Sequence, residues 1–337
     1  MRTWISRASI ALAALVAVAS STLASHVGAD AFTTVYINGE RTTVVFNDGD
    51  SFRPRDGRYH GQQCRLGGYN TLESFGPAHQ WGDWHPYELY IIAKLAYRHG
   101  QRGTWHCTTD GNADTYGRLL LDCPDLAMSE IGHGYAGAMQ IDDSPSRPEY
   151  LHAQQDAIAA RRGMWAHGVP EFVMTSVHSY DEDRDRSLHY NRRISTLDGH
   201  TESMEHSDTY DLCQWVCAPE QVPDPTTTHD VARSLRADAS IAPLLTDVSN
   251  VLLMEITGRF ARTGGLPAWV TGPLYDALHP RLVAARDAGH IGPVGTQRGS
   301  CMLYVPFDQR YGQSRASCLY GHGTLPPDVP DHWHTSH

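Results

Sequence analysis

Alternating apolar and polar positions mark the region from residue 33 to 123 as a series of short β-strands. Apolar side chains recur at every second position, which is the period of a strand with one buried face. Asn38-Gly39 separates the first two runs and is typical of a two-residue hairpin turn. The pattern predicts five strands: Thr34–Ile37, Thr42–Phe46, Gln63–Leu66, Gly103–Thr108 and Arg118–Asp122.

Helical periodicity appears between and after these strands. Tyr87–His99 carries apolar residues three and four positions apart after Pro86, and Met128–Met139 and Pro148–Trp165 show a similar pattern. Five strands with interleaved helices match a small OB-like barrel. We therefore predict an α+β fold: an OB-like five-stranded β-barrel with helices, followed by a C-terminal region of mixed helix and strand.

The chain after Val169-Pro170 gives a less regular pattern. Cys213–Thr228 is rich in proline, aspartate and threonine, which is typical of a loop or linker. Ala232–Arg262, interrupted by Pro243, and Leu274–Gly289 are predicted helices, and β character returns over residues 290–320. The predicted segments are a barrel domain, a polar linker or extension, a mixed α/β region of unknown function and a loose tail: 30–168, 169–230, 231–325 and 326–337.

Residues 1–29 have the composition of a signal peptide. Arg2 and Arg7 precede the apolar run Ile10–Ala19, and small residues suited to cleavage follow as far as Ala29. A permanent span needs about 18 or more apolar residues, so we expect no permanent membrane span. The prediction is a secreted, periplasmic or cell-envelope protein, and the alternative is an uncleaved N-terminal anchor.

The net charge of −11 on 337 residues limits how the chain can meet nucleic acid. Broad non-specific affinity comes from Lys and Arg that neutralise phosphates, and an acidic chain lacks that excess. Contact with DNA or RNA would therefore need a local basic cleft.

Seven cysteines in a chain predicted to be exported favour disulfides, and the odd number leaves at least one thiol unpaired. Cys107 and Cys123 flank a predicted hairpin, which favours a cross-strand bridge. Cys213 and Cys217 are close enough to bridge locally. Cys301 and Cys318 flank a second predicted strand pair, Met302–Pro306 and Ser314–Tyr320, and are expected to face each other. Cys64 is then left over, although sequence alone does not settle connectivity.

Four short segments combine the residue types that phosphoryl transfer needs. Guanidinium groups clamp phosphate bidentately, a carboxylate activates the attacking water, and acidic side chains can hold a hard cation. The segments are Asp48-Gly49-Asp50-Ser51, Arg65, Asn70-Thr71-Leu72-Glu73 and Asp114-Thr115-Tyr116-Gly117-Arg118.

In this order and at these spacings, the segments resemble the staphylococcal-nuclease-like (thermonuclease) family over residues 33–168. The resemblance implies a calcium-dependent hydrolase that cleaves DNA or RNA phosphodiesters with little sequence preference. It also implies the role of each site residue. Arg65 and Arg118 would hold the phosphate and Glu73 would act on the water, whereas the calcium ligands would be Asp50, Asn70 and the Thr71 carbonyl.

Two positions depart from the family pattern. Asn70 stands where the family has an aspartate ligand, so we expect weaker calcium binding because one negative charge is missing. Leu72 replaces a proline, which removes a restraint on φ before Glu73. One alternative is therefore a catalytically degenerate OB-fold module that binds nucleic acid or another ligand. A second alternative places the activity in the C-terminal region, with the barrel as a targeting element.

Three aromatic residues are candidates for contact with nucleic acid: Trp81, Trp84 and Tyr116. The two tryptophans lie in a predicted loop and would stack on bases. The choice between DNA and RNA and the oligomeric state stay open at this point.

Overall fold

The computed structural model describes residues 32–182, 190–292 and 294–320. The predicted signal peptide and the tail predicted over residues 326–337 lie outside these ranges. Within them the chain is a mixed α+β structure.

The described residues contain sixteen β-strands and six α-helices. The strands are β1 (Thr33–Ile37), β2 (Glu40–Asp48), β3 (Ser51–Pro54), β4 (Cys64–Leu66), β5 (Tyr69–Thr71), β6 (His79–Gln80), β7 (Thr104–Cys107), β8 (Leu119–Leu121), β9 (Ala136–Ala138), β10 (Phe172–Ser176), β11 (Tyr190–Ser195), β12 (Thr201–Glu205), β13 (Trp215–Cys217), β14 (Glu220–Pro223), β15 (Val294–Gln297) and β16 (Cys301–Leu303). The helices are α1 (Pro86–Arg102), α2 (Pro124–Gly132), α3 (Pro148–Ala159), α4 (Pro225–Ala237), α5 (Asn250–Thr263) and α6 (Gly272–Asp287).

The N-terminal part is built on a curled sheet with the strand order β7-β1-β2-β3-β4-β8. The predicted hairpin between β1 and β2 is confirmed, because Asn38 and Gly39 have φ angles of 50° and 83°. The outer strands β7 and β8 each pair in parallel with their neighbour. Just beyond them, Thr108 and Asp122 exchange two backbone hydrogen bonds of 2.8 and 2.9 Å.

The apolar positions that alternate along the sheet form the core of this part. Val35, Val44, Phe52 and Leu66 are completely buried in one cluster. Each fully buried side chain of this size contributes about 1.5–3 kcal/mol. Helix α1 begins with Pro86 after a capping box formed by His85 and Glu88, and it buries Leu89, Ala93 and Ala96.

The predicted helix over Met128–Met139 is wrong in its second half. Helix α2 begins at Pro124 and ends at Gly132, and Gly134 then takes a φ of 70°, which ends helical geometry. The chain continues into β9, which pairs with β5 and so lies beside the segment that carries Asn70 and Thr71.

Helices α4, α5 and α6 surround a separate apolar cluster. Leu253, Ile256 and Phe260 of α5 pack there with Leu278 and Leu282 of α6, all at most 1% exposed. The predicted helical run Ala232–Arg262 is interrupted at Pro243 as expected, because a short 3-10 turn over Ala242–Leu245 separates α4 from α5.

The C-terminal strand β16 joins the regions predicted as separate segments. It pairs with β13 on one side and with β6 on the other, in the order β13-β16-β6. Met302 lies opposite His79 and Cys301 lies opposite Gln80. Backbone hydrogen bonds therefore connect the C-terminal region to the loop that follows Glu73.

The described residues contain three disulfides, of which one matches the predicted pairing. The Cys107–Cys123 bridge is confirmed, and Cys64 is buried and unpaired as expected. Burial raises the pKa of the Cys64 thiol to about 12. The predicted Cys213–Cys217 and Cys301–Cys318 pairs are wrong, because the bridges are Cys213–Cys318 and Cys217–Cys301.

The reason for the different pairing lies in the strands. Cys217 on β13 lies directly opposite Cys301 on β16, so the bridge links neighbouring strands. Ser314–Tyr320 is not a strand, since residues 317–319 form a 3-10 turn that brings Cys318 to Cys213. Three disulfides fit an exported protein. None of the helices within residues 32–182, 190–292 and 294–320 has the length and apolar character to cross a membrane.

Candidate active site

A tight acidic turn between β2 and β3 forms one side of the candidate site. Asp48 Oδ1 accepts hydrogen bonds from the Asp50 amide at 3.2 Å and from the Ser51 hydroxyl at 2.7 Å. Gly49 is required here, because an added Cβ would lie 2.6 Å from the Thr71 side chain. The turn therefore packs directly against the end of β5.

Arg65 on β4 is held by the acidic turn and by β5. Its Nη1 donates to Asp50 Oδ1, and its Nη2 donates to Asn70 Oδ1 at 2.7 Å. The second oxygen of Asp50 accepts the Thr71 amide at 2.9 Å. Burial raises the pKa of Asp50, whereas the adjacent positive charge of Arg65 lowers it in part.

Two of the three predicted calcium ligands contact this guanidinium. Asp50 and Asn70 direct side-chain oxygens at Arg65, and the Thr71 carbonyl accepts the Asn70 amide at 2.7 Å. A divalent cation among these oxygens would lie against a positive charge. This arrangement of donor atoms does not fit calcium. Calcium dependence therefore stays a prediction that comes from the family resemblance alone.

Glu73 lies in the loop after β5, where it is partly buried. Its amide donates to Nε2 of the buried His79 at 3.1 Å, which fixes the backbone of the loop. Burial raises the pKa of the Glu73 carboxyl, whereas the positive charges of Arg310, Arg65 and Arg118 lower it in part. The positive charges of both predicted phosphate-binding arginines and of Arg310 therefore act on the Glu73 carboxyl.

The Glu73 carboxylate has no direct partner among the described residues. Within the described parts of the chain, this carboxylate accepts no hydrogen bond and has no arginine within the 4.0 Å of an ion pair. The three guanidiniums act on it from longer distances.

Arg118 lies on the hairpin before β8, beside Tyr116. Its Nε donates to Asp114 Oδ2 at 2.7 Å, and its guanidinium lies 5.5 Å from the centre of the Tyr116 ring. The Tyr116 ring is 49% exposed, so this candidate for nucleic-acid contact is accessible.

The prediction that Trp81 and Trp84 stack on bases is wrong, because both side chains are buried. They are 1% and 5% exposed, and they pack in a cluster with Trp165. The Trp81 indole donates to the Gly168 carbonyl at 3.1 Å, and the Trp84 indole donates to Met164 at 2.8 Å. Their polar atoms are therefore used inside the protein.

Sequence reasoning missed two groups of charged residues around the site. Arg310 and Tyr311 follow β16, and burial, with smaller contributions from the charges of Glu73 and Asp48, raises the pKa of Tyr311 to about 12. Glu130 on α2 is completely buried, and neither carboxyl oxygen has a hydrogen-bond partner in the described residues. Burial, helped by the Asp50 charge, raises the pKa of Glu130 well above its ordinary value, which favours the neutral acid.

A second cluster of titratable groups lies away from this site, where Asp198, His200 and Glu255 bring oxygen and nitrogen atoms within 4.8 Å of one another. His200 bonds Asp198 at 2.5 Å and Glu202 at 3.3 Å, and Glu255 pairs with Arg262 at 2.8 Å. Burial lowers the pKa of His200, but the hydrogen bonds to the two acids outweigh it and raise the value to about 10. In this arrangement the cluster is a network of buried hydrogen bonds and ion pairs.

Comparison of the chain with models of known protein families and with curated proteins finds no match.

Proposed function

We propose that the chain is an exported phosphodiesterase, a nuclease that hydrolyses DNA or RNA with little sequence preference. The observation that carries this proposal is the Glu73 carboxylate, unpartnered among the described residues and placed opposite guanidinium groups that lie beyond ion-pair distance. A pure binding module has no use for a carboxylate that repels its phosphate ligand.

The chemistry assigns a separate task to each group. Arg65 and Arg118 bind the non-bridging oxygens of the phosphodiester and stabilise the charge that grows there during attack. Glu73 accepts a proton from water as the water oxygen bonds to phosphorus. The bond from phosphorus to the leaving sugar oxygen breaks, and that oxygen takes a proton from solvent.

The electrostatics of Glu73 suit this role. Its raised pKa makes it a stronger base than an exposed glutamate, because the ideal base has a pKa near the operating pH. Activity should therefore fall as the pH drops through a value above the ordinary 4.5.

We assign an OB-like barrel to the N-terminal part together with this function. The curled sheet, the hydrogen bonds between Thr108 and Asp122, and the Cys107–Cys123 bridge support it, because they bring the two outer strands together. An OB barrel offers an open face to a single strand of nucleic acid.

The deciding experiment measures cleavage of single-stranded and double-stranded DNA and RNA by the mature protein, with calcium and with a chelator. We expect Glu73→Gln to reduce kcat by a factor of about 100 or more, the usual range for general-base loss, while substrate affinity is kept. Glu205→Gln, at the exposed end of β12, is the matched control and should cleave like the wild type. Full activity in Glu73→Gln would contradict the proposal.

The second candidate is a non-catalytic binding module. Arg65 favours it, because this guanidinium is already held by Asp50 and Asn70 and has less freedom to follow a transition state. Oligonucleotide binding without cleavage, under every metal condition tested, would support this alternative.

A further inference from the structure

The segment from β16 to Tyr320 packs directly on the loop that carries Glu73. Leu303 donates its amide to the Ala78 carbonyl at 2.8 Å, and the Phe75 and Tyr311 rings meet edge to face with centroids 5.9 Å apart. Gly76 permits this approach, because an added Cβ would lie 2.8 Å from the Leu319 side chain. The C-terminal segment therefore forms a wall beside Glu73.

Arg315 holds this C-terminal segment against the loop that carries Glu73. Arg315 donates from one guanidinium nitrogen to the carbonyls of Phe75 and Leu319. The Cys213–Cys318 bridge holds the same stretch from the other side. The wall is thus anchored at several points, and Arg310 lies between them.

Arg310 differs from the other two arginines around Glu73 in how its charge is balanced. Arg65 is paired with Asp50, and Arg118 with Asp114. The Nε of Arg310 donates to the Val305 carbonyl at 2.9 Å, and its guanidinium lies 5.2 Å from the Phe75 ring centre. Over residues 32–182, 190–292 and 294–320, its two Nη groups have no hydrogen-bond acceptor and no carboxylate within 4.0 Å.

Among the described residues, this leaves the two Nη nitrogens of Arg310 without a direct partner, while the charges of Glu73 and Glu182 act on it from longer distances. Its stem is fixed by Nε and by the aromatic ring, so little side-chain freedom is lost when an anion binds. Two parallel guanidinium donors match the geometry of two phosphate oxygens.

We propose that Arg310 is a third phosphate-binding residue of this site and that the C-terminal segment is part of the binding cleft. The inference rests on the proposed function, since it assigns one more contact to the same phosphodiester. The ligand class is a phosphate ester of nucleic acid. The C-terminal region then contributes to the site rather than acting alone.

The test compares wild type with Arg310→Ala, Arg310→Lys and Arg310→Met in the full mature protein. Phosphorus NMR titration with inorganic phosphate measures affinity, and steady-state cleavage of a fluorogenic single-stranded oligonucleotide measures kcat and KM. Arg310→Ala should weaken phosphate binding by about tenfold to a hundredfold, the range for loss of a charge-assisted donor, and should lower kcat/KM in parallel. The phosphate affinity of Arg310→Lys should lie between those of wild type and Arg310→Ala, because lysine keeps the positive charge but lacks the paired guanidinium donors.

Arg310→Met separates binding from packing. The flexible apolar methionine side chain keeps contact with the Phe75 ring, so this variant should fold even if Arg310→Ala does not. It should still lose phosphate affinity. Arg233→Ala, on the exposed face of α4 beside Asp230, is the control and should match wild type. Wild-type phosphate affinity in Arg310→Met, measured well below its melting temperature, would overturn the inference.

The two proposals fail in different ways. Cleavage by wild type that is unchanged in every Arg310 variant leaves the nuclease standing and refutes the third contact. Phosphate binding that depends on Arg310, in a protein without cleavage activity, refutes the nuclease and supports the contact. Wild type that neither cleaves nor binds phosphate refutes both.

Discussion

Replacing Asp50 by alanine tests whether the acidic turn is an internal ion pair or a calcium site. Asp50 is 2% exposed and accepts from both Arg65 and the Thr71 amide. The mutation leaves the charged donor and the buried amide without their acceptor. Loss of a hydrogen bond to a charged group costs about 1.5–3 kcal/mol, and an unsatisfied buried amide adds about 1–3 kcal/mol.

We therefore expect Asp50→Ala to lower the free energy of unfolding by about 3–5 kcal/mol, as for other broken buried pairs. This is a large part of the roughly 5–15 kcal/mol of a typical domain. Asp50→Asn should lose less, because its amide oxygen still accepts one of the two hydrogen bonds. The control is Asp230→Ala, which removes an exposed pair with Arg233 and should cost at most about 1 kcal/mol.

The assay is urea unfolding followed by tryptophan fluorescence, with the disulfides intact, once with calcium and once with chelator. An internal ion pair predicts the same loss in both conditions and a wild-type stability that does not respond to calcium. A wild type that gains stability with calcium, together with an Asp50→Ala variant that does not, would refute the ion-pair reasoning. A variant within about 1 kcal/mol of wild type would refute it too.

Two further predictions concern Asn70 and His200. Asn70→Asp replaces the amide that donates to the Thr71 carbonyl at 2.7 Å with a carboxylate oxygen, so without calcium it should destabilise the fold by about 1–3 kcal/mol. Added calcium should restore that loss if the ligand assignment from the family is right, and a calorimetric titration that detects no binding would contradict the assignment. The raised pKa of His200, held by Asp198 and Glu202, stabilises the fold fully below pH 6.5, and this contribution is lost as the pH rises through about 10. The free energy of unfolding should fall over that window, and a His200→Gln variant that keeps the same pH slope would disprove the linkage.

The N-terminal strands could be predicted from the sequence because their apolar residues alternate and an Asn-Gly turn separates the first two. Strand β3, Ser51–Pro54, was missed since it has only four residues and ends in proline. Strand β9 has three residues after a helix and is defined by its partner β5, which no local pattern reveals. Short strands of this kind depend on tertiary pairing more than on their own sequence.

From the sequence, only those residues of the candidate site that lie in short local motifs could be predicted. Arg65, Glu73 and Arg118 lie in recognisable short segments. Arg310 belongs to no motif, and its segment reaches the Glu73 loop through contacts such as that of Arg315 with Phe75, 240 positions apart. The burial of Trp81 was equally hidden, because its indole bonds to a carbonyl 87 positions away.

The pairing of β6 with β16 also determines when the site can exist during synthesis. The Glu73 loop leaves the ribosome well before its partner strand β16 (Cys301–Leu303) is made. Until then the loop lacks its backbone neighbour, and Arg310 has not been translated. The Cys217–Cys301 bridge cannot close before the same moment, and it needs an oxidising compartment. If the chain is the exported nuclease proposed above, its site would be complete only after β16 has been made and this bridge has formed by oxidation.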